Sequence, residues 1–213
     1  MKKIHGIWLP DSDRHFERMM GKEPQQVYHC EKVGCYQHFK IKKALSLTER
    51  RGLALDVGAH VGFWSMWLGL EFREVHAFEP VAEHAECFRM NVKDDVVLHD
   101  HAVGSVESQA CINLHPENSG KAAVGDGATS VKVRSIDSYQ FDDVDLIKID
   151  VEGYESEVLW GAIDTLARCK PLLVFEDNGQ HERYGFDSPR KVAQDFGLRE
   201  VCQMGRDWIY AHH

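Results

Sequence analysis

From residue 52 onward, apolar and polar positions fall into short runs that switch between strand-like and helix-like periods. That alternation predicts an α/β fold: a mostly parallel sheet with covering helices. Gly52-Leu53-Ala54-Leu55-Asp56-Val57 reads as a buried strand, followed by a glycine turn and an apolar helical run from Phe63 to Leu70. Glu74 to Phe78 predicts a second strand, Val81 to Val92 a helix, Val96 to His99 a third strand, and Val144 to Ile149 a further, more strongly apolar one. After Gly153, Val158, Leu159, Ala162, Ile163 and Leu166 share one stripe at helical spacing, suited to covering a sheet face. Pro171 to Glu176 returns as a strand, and Ser188-Pro189 opens a helix with a capping residue and a first-turn proline. Leu198 to Met204 and Asp207 to Ala211 flank Gly205-Arg206 as an antiparallel hairpin.

Two stretches break the pattern. The polar, glycine-rich segment 116–128 lies between Cys111 to Leu114 and Thr129 to Arg134 and reads as a mobile hairpin loop, a surface connection in preference to a substrate lid. Residues 1–51 lack the alternation; Tyr36 to Leu47 has helical spacing with Phe39, Ala44 and Leu47 as core contacts, which predicts an N-terminal helical cover over a single domain at 52–213. Six basic residues between Lys32 and Arg51 stand against Glu49 alone, a solvated face or an anionic-substrate contact.

Composition narrows the class. A chain of 213 residues with 43% hydrophobic and 28% charged residues is ordinary globular material, so fibrous, disordered and disulfide-scaffold classes fall away. No apolar run is long enough for a membrane span and no signal-peptide core follows Met1, so a soluble, cytoplasmic protein is expected. The net charge of −9 works against capture of a phosphate backbone, which disfavours nucleic acid as a partner. Six scattered cysteines without a CxxC pair fit reduced thiols; zinc at Cys30 and Cys35 would need help from His29 or His38. The terminal His212-His213 pair is assigned no role.

Candidate chemistry concentrates at strand ends. Asp56-Val57-Gly58-Ala59-His60-Val61-Gly62 spans a strand-to-helix junction where glycines let the backbone approach a ligand. The spacing is not the GxGxxG that seats a pyrophosphate, and a strand-end aspartate attracts an amine or sulfonium, which points to S-adenosylmethionine over NAD. Glu79, 23 positions after Asp56 and followed by Pro80, is placed to accept both ribose hydroxyls, to cap the next helix, or to do both. Asp100 and Ala102, after the third strand, sit where an adenine could be read. In Lys148-Ile149-Asp150-Val151-Glu152-Gly153-Tyr154-Glu155, a lysine inside an apolar strand must be paired or have its pKa lowered, with Asp150, Glu152 or Glu176 as natural partners, or else form a purely structural ion pair.

Taken in order, the Asp56 to Gly62 turn, Phe78-Glu79-Pro80, Ala102-Val103-Gly104, Ser135-Ile136-Asp137-Ser138-Tyr139, the Lys148 to Glu155 run, Gly161-Ala162 and Phe175-Glu176 resemble the FkbM-type S-adenosylmethionine-dependent methyltransferases. The resemblance implies a Rossmann-like, seven-stranded methyltransferase fold with a reversed last strand, and O-methylation of a hydroxyl on a sugar, lipid or small metabolite. His60 stands where the family more often has asparagine.

On that basis the cofactor-binding set is Asp56, Gly58, Ala59, His60 and Gly62 for the methionine part, Glu79 and Pro80 for the ribose, Asp100 and Ala102 for the adenine, and Asp150 between cofactor and acceptor. Lys148, Asp150, Glu152 and Glu176 form the acceptor-side cluster, with Asp150 or a neutral Lys148 as general base. A divalent metal held by Asp150, Asp177 and Asn178, as the locally similar catechol O-methyltransferase arrangement suggests, is a less favoured variant. A nicotinamide-dependent oxidoreductase and a non-catalytic adenosyl-binding module are the competing classes; the acceptor and the oligomeric state stay open.

Overall fold

Parity along the central strands decides which side chains meet which layer, because successive residues of a strand point to opposite faces. The computed structural model describes residues 1–22, 29–30, 33–34, 36–115 and 117–212. Its N-terminal part comprises β1 (Lys2–Ile4), β2 (Ile7–Leu9), α1 (His15–Lys22), β3 (His29–Cys30), β4 (Val33–Gly34) and α2 (His38–Leu47). There follow β5 (Leu53–Val57), α3 (Ser65–Glu71), β6 (Glu74–Phe78), α4 (Ala82–Asn91), β7 (Val97–His99), β8 (Ala102–Val103), β9 (Ser108–Asn113), β10 (Ala123–Gly125) and β11 (Thr129–Arg134). The chain finishes with β12 (Val144–Ile149), α5 (Glu155–Trp160), α6 (Ile163–Cys169), β13 (Leu172–Glu176), α7 (Pro189–Asp195), β14 (Arg199–Met204) and β15 (Asp207–Ala211).

The main sheet has seven strands in the order β14-β15-β13-β12-β5-β6-β7, parallel except for the hairpin β14-β15, as the alternation predicts. Leu55, Val57, Ile147, Ile149 and Phe175 pack with Val158, Leu166 and Val192 on one face. Ala54, Ala77, Leu146 and Val174 pack with Ile41, Leu68 and Phe88 on the other. The strand order turns back on itself at β5, which pairs with β6 on one side and β12 on the other, so a crevice opens at the carboxyl edge there.

Several local expectations need correcting. The N-terminal segment is not only helical: a β1-β2 hairpin precedes α1, tied to α4 by Trp8 N–H to Asn91 Oδ1 at 2.7 Å. In α2, Ile41 and Ala44 are buried and Leu47 partly so, whereas Phe39 points out, 86% exposed. The basic stretch is only partly a solvated face, because Lys40 pairs with buried Asp207 and Arg50 with buried Asp145. The single stripe after Gly153 is two helices, broken at Gly161-Ala162, and Ile163 is 40% exposed. Segment 116–128 is no plain loop: a short 3-10 turn over Ser119–Lys121 and β10 add to a second sheet, β10-β9-β11-β8. Tyr28, Lys32, Cys35, Pro116 and His213 lie outside the described residues, as do the side chains of His29 and Cys30, so the cysteine grouping is not described. No helix among the described residues is long and apolar enough to cross a membrane.

Candidate functional site

The crevice at the carboxyl edge is a cavity of about 230 Å³. Three parts of the chain wall it: the ends of β5, β6, β12 and β13; the N-terminal cover, through Phe16, Tyr36, Gln37 and Lys40; and the second sheet with its connection, through Ile112, Ser119 and Val124.

Gly58 leads out of β5 at φ +75°, and a Cβ there would sit 1.9 Å from the Asp150 carbonyl oxygen, so the two strand ends approach as closely as they do only because this residue is glycine. Gly58, Ala59 and His60 line the cavity. Gly62 does not: its φ is +95° and a Cβ would meet Val92 Cγ2 at 2.3 Å, so this glycine serves the packing of α4.

Asp56 also departs from its expected role. Lys148 and Asp56 are register partners on adjacent parallel strands, hence on the same face, and both are buried. Lys148 Nζ lies 3.0 Å from Asp56 Oδ1 and donates to the Gly58 carbonyl at 2.7 Å, while Ser65 Oγ donates to Asp56 Oδ2 at 2.6 Å. Asp56 is therefore consumed inside the fold and is absent from the cavity wall; the partner of Lys148 is Asp56, not Asp150, Glu152 or Glu176. Burial alone would lower the Lys148 pKa, but the carboxylates of Asp56 and Asp150 outweigh it and raise it, so the ammonium stays charged and a neutral lysine base does not fit.

Glu79 follows β6 and is buried against the cavity. Its Oε2 accepts from His60 N–H at 2.9 Å; its Oε1 accepts from Val81 N–H at 2.9 Å and lies 3.2 Å from His84 Nδ1. It thus caps the turn into α4 and faces the ligand space as well, with Pro80 beside it. Ala102 lines the cavity together with His101, Val103, Ile112 and Val124, a largely apolar slot. Asp100 is exposed and outside that wall, because it sits in the bend between β7 and β8.

Asp150, Glu152 and Glu176 bring carboxylate oxygens within 4.8 Å of one another at the ends of β12 and β13. Burial, then Asp150 and Glu152, push the Glu176 pKa up to about 8; burial, then Asp150, also raises Glu152. Glu152 is held at φ +56°, an unusual backbone conformation for a residue with a side chain, in a turn whose Val151 and Gly153 N–H groups both donate to Glu155 Oε1 at 3.1 Å. These three acids are the oxygen set that could hold a divalent cation. Asp177 is not part of that group: its Oδ1 accepts from Gly179 N–H at 3.4 Å, in a polar turn where Asn178 Nδ2 donates to Glu176 Oε2 at 3.1 Å.

Sequence reasoning missed the residues that hold the first set in place. Glu155 fixes the turn of Glu152, His84 abuts Glu79, and Ser119 Oγ lies 2.8 Å from His60 Nε2. Of these only Glu155 carried a signal, as the acid closing the Lys148 to Glu155 run; the others come from segments with no motif.

No curated protein matches the chain. Among solved structures, the methyltransferase FkbM from Methylobacillus flagellatus KT shares 19% identity with a TM-score of 0.50; the match covers 76% of this chain and 44% of that one, so this chain spans under half the length of that relative. The precorrin 8w decarboxylase of Methanobacterium thermoautotrophicum, at 15% identity and TM-score 0.51, matches over 82% of this chain and 90% of its own. The precorrin-6y C5,15-methyltransferase of Geobacter metallireducens GS-15, at 13% and 0.50, matches over 89% and 93%. At these identities the likeness is one of fold, the Rossmann-like methyltransferase architecture. The methyltransferase FkbM domain itself matches residues 56–202, from the end of β5 to the terminal hairpin and well over half of the sequence. The chain belongs to the FkbM methyltransferase domain family.

Proposed function

We propose that the cavity holds S-adenosylmethionine and that the protein transfers its methyl group to a hydroxyl of a sugar, lipid or other small metabolite. One observation carries this: a glycine cradle and a buried carboxylate converge on a single cavity. Gly58 keeps the cradle open, and Glu79 uses about three of the roughly four acceptor positions of a carboxylate on the protein, leaving capacity for a ribose hydroxyl. The apolar slot at Ala102 suits an adenine ring.

Bound there, S-adenosylmethionine supplies an electrophilic methyl group on a sulfonium. The chain's own residues then bind, orient and move one proton. Gly58, Ala59 and His60 face the methionine part, and Glu79 with Pro80 holds the ribose. Lys148 touches no reacting atom in this scheme; it is a positioning residue that ties Asp56 to the Gly58 carbonyl. The acceptor hydroxyl enters at Asp150, Glu152 and Glu176, in the cavity that Tyr36 and Lys40 also line. Glu176 takes its proton as oxygen gains the methyl group, and the charge on sulfur is lost. A carboxylate with a pKa of about 8 is a stronger base than an ordinary one and is still ionised in part near neutrality. The reducing cytoplasm is the compartment we assign, consistent with free thiols at Cys87, Cys111, Cys169 and Cys202.

Calorimetry with S-adenosylhomocysteine and with NAD, followed by labelled-methyl transfer to a library of hydroxyl compounds, tests the proposal. Binding of the first ligand alone, with turnover of at least one acceptor, is expected. Preference for NAD would return the protein to the oxidoreductase class; binding without any turnover would make it a binding module. Full activity in excess chelator is expected, and loss of activity would give the three carboxylates to a metal ion.

A further inference from the structure

Resting on the assignment of the cavity to S-adenosylmethionine, we infer that Asp13 is a positioning residue for that ligand, acting through Ser119 on His60. Asp13 is fully buried, and a buried carboxylate costs several kcal/mol unless its oxygens are satisfied. Among the described residues its side-chain bonds go to two segments far apart in sequence, its own turn and the connection before β10. Oδ1 accepts from Phe16 N–H at 2.8 Å; Oδ2 accepts from Ser119 N–H at 2.9 Å and from Ser119 Oγ–H at 2.6 Å. Beside them the Glu117 carbonyl accepts from Arg14 and His15 N–H at 3.0 and 3.1 Å. Residues 13–16 and 117–119 are thereby one body.

The hydroxyl chemistry fixes what happens next. Ser119 has one hydroxyl proton and gives it to Asp13, so toward His60 Nε2, 2.8 Å away, its oxygen accepts. His60 is then the neutral Nε2–H tautomer; burial, with His84 and Lys148 adding to it, holds its pKa well below the usual imidazole value. His60 is also a residue with a side chain at φ +52°, and its own N–H is the one that donates to Glu79 Oε2. The relay Asp13–Ser119–His60 therefore holds a strained turn in the conformation that aims an N–H at the carboxylate given to the ribose. It also seats Phe16 against the His60 ring, with centroids 5.3 Å apart, as part of the cavity wall.

The test is made on the full chain, with S-adenosylhomocysteine as probe. Asp13→Asn and Ser119→Ala are expected to weaken binding about tenfold or more, the scale of one lost charge-assisted hydrogen bond, mainly through faster dissociation. The KM for S-adenosylmethionine should rise while kcat and the acceptor KM hold. Ser119→Thr, which keeps the hydroxyl, should recover affinity relative to Ser119→Ala. Asp137→Ala, which removes a helix-capping carboxylate lying outside the cavity wall, is the control: it should lower the unfolding midpoint and leave affinity alone. Should Asp13→Asn fail to fold, Ser119→Ala carries the same outcomes. Affinity and dissociation rate of Ser119→Ala within twofold of wild type, or no recovery in Ser119→Thr, would overturn the role of Asp13. Wild-type protein that does not bind the probe would instead overturn the cofactor assignment.

Discussion

At the residue scale, the site is a balance of charges that ordinary solution values do not describe. Burial disfavours the Glu176 carboxylate, and repulsion from Asp150, Glu152 and Asp207 adds to it, so its proton is retained to about pH 8. An acid whose folded pKa lies above its unfolded value binds more protons when folded, so stability falls as pH rises from the ordinary glutamate range through about 8. Glu176→Gln should therefore gain stability relative to wild type at pH 9 and lose that advantage near pH 4, as urea unfolding at the two pH values will show. The same substitution should lower kcat by about 10²- to 10⁴-fold, the usual worth of a general base, and abolish the limb of the pH-rate profile near 8. Lys148 yields the opposite kind of expectation. Lys148→Met leaves the buried Asp56 carboxylate without its counter-charge and should cost about 3–5 kcal/mol. Pairing it with Asp56→Leu should restore much of that loss in a denaturation series, because the pair is then replaced by apolar contact, and the double variant separates the fold's need for the pair from the site's.

At the element scale, the family motifs divide into those that touch the cavity and those that join elements. Asp137, in the Ser135 to Tyr139 motif, accepts from the N–H groups of Asp164 and Thr165 at 3.0 and 2.9 Å and from Thr165 Oγ1 at 2.6 Å, so it caps α6 from a distant segment. Asp137→Ala should cost about 1–2 kcal/mol, as loss of a cap does, measured as a shift in urea midpoint with unchanged ligand affinity. Gly104 and Gly161 are likewise one contact: a Cβ on Gly161 would meet the Gly104 carbonyl oxygen at 2.1 Å. The strands, the Ser188-capped helix and the terminal hairpin were legible because period and punctuation are local properties, and the cap is present as read, with Ser188 Oγ accepting from Lys191 N–H at 3.2 Å. Gly58, Ala59, His60, Glu79 and Ala102 reach the cavity for a similar reason, since strand ends can be located from pattern alone. The partner of Lys148 could not be read, because it depends on the register between β12 and β5, strands that lie far apart in the chain. Nor could the helix break at Gly161, where an unbroken apolar stripe conceals a backbone contact with Gly104. The 116–128 segment was misjudged because polar, glycine-rich composition describes a connection and not what it packs upon; its Ala122 and Val124 pack against a small buried cluster of Val81, Ala102, Ile112, Val131 and Val133.

At the scale of the whole molecule, three parts meet at the cavity and each is anchored elsewhere. The main sheet rests between its two helical layers, the second sheet on an apolar cluster it shares with Val81, and the N-terminal cover on the β2–α4 junction and on the ion pairs of Lys40 with buried Asp207 and Arg50 with buried Asp145. A ligand spanning the Gly58 turn, Glu79 and the Ala102 slot would touch the first two parts directly and the third through Phe16, so its binding energy adds to the cohesion of the folded chain as a whole. For a ligand that binds only the folded state, a concentration one hundred times Kd contributes about 2.7 kcal/mol. In a protein of this length each kcal/mol moves the unfolding midpoint by about 2–4 °C, so S-adenosylhomocysteine at that excess should raise Tm by about 5–10 °C in a single transition. NAD at the same concentration should leave Tm where it was. A rise confined to one of two resolved transitions would mean that the cover or the second sheet unfolds independently of the site, and that the cavity is shared by fewer parts of the chain than its walls suggest.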